Sequence, residues 1–265
     1  MLLNIIMNFI VIVANLTKRN NCLSFSTSIF DNRDLIMDYN YYNADDYPLN
    51  RYCLCDIPSH LHQTIYSLIV HNNCIIRGGL AYILLTNDFT YYLKDIDLLA
   101  DRHQCNEIFS FATSVAEKVF YSKNSHKVDL LTLFWKRQPC YDKIDVLFLE
   151  SQTSPIDFSY INSNIFPTAV PVIAPVDLWF DRIAKIAEKE LRRHSDAKTM
   201  NHVRVAVNMS KYLLNKHIPM PPKYSLDYIS SYIERAVHVL TQMTAPDDET
   251  IQEFQQLSTE ALNQK

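Results

Sequence analysis

Apolar positions gather along the chain in stages. Met1 to Leu16 is apolar apart from Asn4, Asn8 and Asn15, and Lys18 and Arg19 follow it. Residues 17–58 are polar and rich in Asn, Asp and Tyr, which reads as irregular surface structure with a short helix around Asp34 to Met37. From Leu61 the pattern orders. Ile65, Leu68 and Ile69 fall at helical spacing between His62 and His71, and the apolar residues from Cys74 read as a buried strand. Leu80 to Leu85 reads as a helix, Asp95 to Ala100 as a strand and Asn106 to Phe120 as a helix. Val128 to Trp135 and Lys143 to Leu149 are two apolar runs on either side of Lys136-Arg-Gln-Pro139, the pattern of a hairpin. After Pro175 the periodicity is helical throughout: Val176 to Arg193, Thr199 to Leu214, Leu226 to Gln242 and Thr250 to Leu262. The change falls between Pro167 and Pro175 and predicts an α/β (α+β) half followed by an all-helical half. The expected boundaries are 1–58 for an N-terminal extension, 59–172 for the α/β domain and 173–265 for the helical domain.

Composition narrows this picture little. A chain of 265 residues with 48% hydrophobic positions buries a substantial core. Its net charge of −4 argues against coating nucleic acid through bulk charge, while leaving room for a local basic site. None of the six cysteines forms a CxxC pair, so reduced thiols in a cytoplasmic protein are expected. The N-terminal apolar run has its positive charge after it rather than before, unlike a secretory signal. It is also shorter than the roughly 20 residues a membrane span needs, so no membrane role is expected.

Glycine changes the picture most. Gly78 and Gly79 are the only two in the chain, adjacent in Cys74-Ile-Ile-Arg-Gly-Gly-Leu-Ala81. Glycine is required where φ is positive or where main chain approaches another group closely. A glycine turn that opens a helix offers unpaired N–H groups to an anion, with phosphate the first candidate. Asp95 and Asp97, two apart on a strand, direct both carboxylates to one face while Ile96 and Leu98 face the other way. Such a pair suits Mg²⁺, which takes one or two carboxylates together with substrate phosphates. Asp145 offers a third carboxylate, ranked above Asp129 and Asp142 because apolar residues flank it on both sides.

A Gly-Gly turn opening a helix, a DxD strand starting sixteen positions beyond Gly79 and a single Asp on a later strand together resemble the DNA polymerase beta-like nucleotidyltransferase superfamily. Ile75 to Ala81 with Leu93 to Leu99 looks most like the AbiEii-type minimal nucleotidyltransferases, many of them toxins of toxin–antitoxin pairs. The resemblance covers roughly residues 60 to 215 and implies a nucleotidyltransferase fold with a short mixed sheet. It implies transfer of an NMP from an NTP, with two Mg²⁺ ions held by Asp95, Asp97 and Asp145. The acceptor it implies is a hydroxyl or phosphate of tRNA, protein or a small molecule such as an antibiotic, with an antitoxin as a possible partner. A catalytically inactive binding module of the same fold is the rival.

In the family, an Asp-Lys-Leu-like segment places a lysine on the nucleotide phosphates, and Asp181-Arg-Ile183 occupies the matching place here. Arg182, Lys185, Lys189 and Arg192 lie within an arc of about 80° on one helix. They read either as a cationic clamp, with Arg182 and Lys185 foremost, or as a solvated face with Asp181–Lys185 and Glu188–Arg192 ion pairs. The next helix departs from the family. His202, Arg204 and Asn208 stand where acids of an Arg-Asp-x-x-Asp-like segment are expected. His71, His126, His194, His202 and His217 show no HxxxH or HxH spacing and read as surface or capping residues.

Overall fold

The computed structural model describes residues 37–38, 48–123, 129–149, 156–192, 194–244 and 246–264. It divides into two compact units, 1–37 and 38–265, and the site lies in the second. The readings of the apolar run 1–16 and of residues 34–36 fall outside the described residues. Met37–Asp38 is an extended pair.

The second unit is mixed α/β. Seven strands, β1 (Ile75–Arg77), β2 (Ile96–Asp101), β3 (Lys118–Lys123), β4 (Asp129–Arg137), β5 (Cys140–Leu149), β6 (Phe158–Ile161) and β7 (Val170–Ile173), run in the order β3-β4-β5-β2-β1-β7-β6. Seven helices accompany them: α1 (Ser59–Asn72), α2 (Gly78–Thr86), α3 (Cys105–Val115), α4 (Pro175–Ala187), α5 (Asp196–Lys216), α6 (Leu226–Thr241) and α7 (Asp248–Leu262). The last four follow one another without an intervening strand, as the helical periodicity after Pro175 predicts.

Register positions the chemistry. β2 pairs antiparallel with β1 and parallel with β5, and β5 pairs antiparallel with β4. Arg77 therefore stands opposite Asp97, Asp97 opposite Asp145, and Asp145 opposite Thr132. Residues opposite one another in a ladder share a face, so four polar side chains form one row across four strands. The alternate positions Ile96, Leu98, Ile144 and Val146 are fully buried on the other face.

Three expectations shift. The helix read over 106–120 ends at Val115, and the chain becomes β3. Thr113 and Ser114 donate their hydroxyls to the carbonyls of Ser110 and Phe111 in the last turn, a side-chain competition that weakens a helix end. β3 then pairs with β4 along six positions. α4 also ends early, at Ala187 rather than 193, and Lys189 reaches Asp196 at the start of α5 (3.1 Å). Finally, not all of 17–58 is surface. Tyr52 and Leu54 are buried, Tyr52 exchanges main-chain hydrogen bonds with Leu93, and its hydroxyl donates to Asp142 (2.6 Å). Asn50 donates to the same carboxylate and His60 lies 3.0 Å from it, so Asp142 ties three segments together and is spent on the fold.

The helical half docks through specific polar contacts as well as apolar packing. Trp179, fully buried on α4, donates Nε1–H to Ser210 on α5 (2.9 Å). Asn208 on α5 donates to the Tyr82 hydroxyl on α2 (2.6 Å). These contacts set α5 beside the helix that Gly78 opens.

Candidate active site

Gly78 begins α2 with φ +68°, a backbone conformation that residues with a Cβ rarely adopt. A Cβ there would lie 2.8 Å from Asp97 Cγ and 2.9 Å from Asp97 Cβ, nearer still to the carboxylate oxygen. At Gly79 it would lie 2.9 Å from the Tyr91 ring. Gly78 thus answers two needs, a left-handed entry into α2 and room for Asp97 against the main chain, and Gly79 makes room for Tyr91.

Gly79, Asp95 and Asp97 line one side of a cleft of about 830 Å³, and Arg182, Lys185, Lys198 and Arg204 line it from α4 and α5. Arg51 and Lys94 add to its rim, so six cationic side chains face it against the two carboxylates, in a chain of net charge −4. Ser195 caps α5 by accepting from the Lys198 N–H and also lines the cleft. Across the mouth, Asn201 donates to the Tyr91 hydroxyl (3.1 Å) and the Arg204 guanidinium lies over the Tyr91 ring (5.3 Å).

The clamp residues form a buried cluster. Asp181 meets Lys185 (2.8 Å), Arg77 (3.2 Å) and Arg182 (3.8 Å). Burial disfavours its charge, but Lys185, Arg182 and Arg77 outweigh that and hold it below the usual carboxylate range. One carboxylate for three cations leaves positive charge in excess. Burial and then the neighbouring Arg182 lower the Lys185 pKa, as expected of a cation short of counter-charge. The Arg182 guanidinium lies 3.4 Å from His202 Nδ1, so the neutral ring accepts there and carries its proton on Nε2, which has no protein partner. Burial and Arg182 depress the His202 pKa to about 2. His202, expected at the surface, is instead 5% exposed and lines the cleft.

Lys189 and Arg192 stay outside this cluster. Lys189 pairs with Glu190 and Asp196, and Arg192 with Glu188. Neither lines the cleft, and both i,i+4 ion pairs of the sequence form.

Of the three candidate third carboxylates, Asp145 is the one beside Asp97. Asp129 is held by Arg102 and the Tyr121 hydroxyl, and Asp142 by Tyr52 and Asn50. Asp145 accepts from Thr132 (2.7 Å) on Oδ1 and from Lys143 (2.7 Å) on Oδ2. Burial raises its pKa to about 6. Lys143 opposes that shift, while Asp97 and Asp95 add to it. Lys143 also reaches Asp95 (3.2 Å). Burial would lower the lysine's pKa, but Asp145 and Asp95 more than reverse this and it stays protonated. Sequence reasoning missed Lys143, whose one signal was its place two before Asp145, on the same strand face.

Asp95 and Asp97 fit a Mg²⁺ ion that shares its coordination with substrate phosphates, since both carboxylates line the cleft. A three-carboxylate cage does not form. Among the described residues no group of three or more His, Cys, Asp or Glu side chains is gathered to hold a metal ion.

Other features are bland. The described cysteines, 53, 55, 74, 105 and 140, are free thiols. No helix among the described residues is long and apolar enough to cross a membrane.

No family model and no curated protein matches the chain. Among solved structures it is similar to an antigenic nucleotidyltransferase-like protein from Paracoccidioides brasiliensis, at 18% identity over 80% of this chain and 93% of that one, with a TM-score of 0.46. A likeness of that degree leaves the family open.

Proposed function

We propose that the cleft binds a nucleoside triphosphate with Mg²⁺ and transfers its nucleotidyl group to an acceptor hydroxyl or phosphate. The observation that carries this reading is the placement of Asp97. It stands against the glycine turn that opens α2, in register with Asp145 and facing a wall of cations. Gly78 and Gly79 would let the first N–H groups of α2 meet the triphosphate. Arg182, Lys185 and the His202 Nε2–H would supply the remaining donors, and the charge excess around Asp181 would be neutralised by the phosphates.

Asp95 and Asp97 would hold the ion, which would supply Lewis-acid stabilisation of the phosphate charge. An acceptor oxygen would then form its bond to the α-phosphorus in line with the bond to the bridging oxygen, which breaks. Pyrophosphate leaves with the electron pair, and the acceptor's proton passes to a carboxylate of the acidic row. The cationic rim of Arg51, Lys94, Lys198 and Arg204 favours a phosphate-rich acceptor such as tRNA over a neutral small molecule. A toxin-like role in the cytoplasm accords with the resemblance of the glycine and DxD segments.

A second reading, a nucleotide-binding module without turnover, is favoured by one observation: Lys143 spans two of the carboxylates. Incubation of the purified protein with each α-labelled nucleotide, Mg²⁺ and a cell extract separates the two. Labelled acceptor is expected with the native chain and none with Asp97→Asn. Nucleotide-dependent thermal stabilisation without label transfer would select the binding module.

A further inference from the structure

The cation already present in the acidic row belongs to the chain. Asp95-Ile-Asp97 and Lys143-Ile-Asp145 are triplets of one pattern, and parallel pairing sets Ile96 opposite Ile144 and Asp97 opposite Asp145. That register brings Lys143 Nζ to 3.2 Å from Asp95 and 2.7 Å from Asp145, on a side chain only 11% exposed. Thr132 occupies the other oxygen of Asp145. Both oxygens of Asp145 thus already hold a donor, and a divalent ion bound to Asp145 would sit close to the ammonium, where like charges repel strongly in a partly buried site.

We propose that Lys143 is a tethered cation in place of a second metal ion, so that this site takes one divalent ion, at Asp95 and Asp97, rather than two. The proposal deepens the nucleotidyltransferase reading and rests on it for its meaning, but ion occupancy can be counted with no nucleotide present. Mn²⁺ alone is the probe. Bound Mn²⁺ per chain is measured by electron paramagnetic resonance for the native protein, Lys143→Met and the double variant Lys143→Met/Asp145→Asn.

Lys143→Met is expected to bind one ion more than the native chain. Its melting temperature should be lower than native in chelator and recover in millimolar Mn²⁺. The double variant should lose the extra ion. Equal ion counts in the native chain and Lys143→Met would overturn the proposal. Should Lys143→Met not fold, anomalous diffraction from native crystals soaked in Mn²⁺ decides. Density confined to Asp95 and Asp97 with Lys143 in place supports the proposal, and a peak beside Asp145 overturns it. A failure of label transfer from nucleotides would leave these counts unchanged, so the two readings fail separately.

Discussion

At Gly78 two constraints fall on one Cα: a positive φ and the carboxylate of Asp97 packed where a Cβ would be. Gly78→Ala therefore strains the backbone, at about 1–2 kcal/mol for the left-handed conformation alone, and also displaces Asp97. Chemical denaturation should show at least that loss, and Mg-nucleotide should no longer raise the melting temperature of the variant. Gly79→Ala should cost less, because its φ lies outside the left-handed range and only the contact with Tyr91 and Leu93 must give. The need for glycine here was legible from its rarity in the sequence, and so were Asp95, Asp97 and Asp145. What the pair makes room for was not, because the contact joins residues nineteen apart through an antiparallel pairing that no local pattern encodes. Lys143 was missed for a related reason: a lysine at the head of an apolar run reads as solvated until the neighbouring strand supplies carboxylates, and here it lies inside β5.

Between elements, the packing of α4 on α5 buries His202 beside Arg182. Its folded pKa, near 2, lies below the ordinary 6.5, so over that interval the unfolded chain binds a proton that the folded chain refuses. The stability from this group is full above about pH 6.5 and drains as pH falls toward 2, by up to about 1.4 kcal/mol per pH unit. Denaturant melts of the native protein between pH 6 and 5 should fall more steeply with acid than those of His202→Gln, by about that slope. Identical slopes would place the ring in water. Helical periodicity gave α4 to α7 to within a few residues at their starts, where Pro175, Ser195, Ser225 and Asp247 mark the entries. It overran at α3 and α4, because a helix end is decided by local side-chain competition and by the next element's pairing, not by apolar spacing.

Across the whole molecule, a net charge of −4 conceals a cleft lined by six cations and two carboxylates. Overall charge did not reveal it, because the cations come from segments as distant as Arg51, Lys94 and Arg204 and meet only in the fold. The account stands on that cleft being a Mg-nucleotide site, and isothermal titration calorimetry measures this directly. Each of the four nucleoside triphosphates is titrated with Mg²⁺ into the native protein and into Lys185→Met. At least one should bind the native chain, more weakly as salt rises, with affinity reduced tenfold or more in the variant. Absence of binding by all four at low salt, or binding equal in the native protein and Lys185→Met, would contradict it.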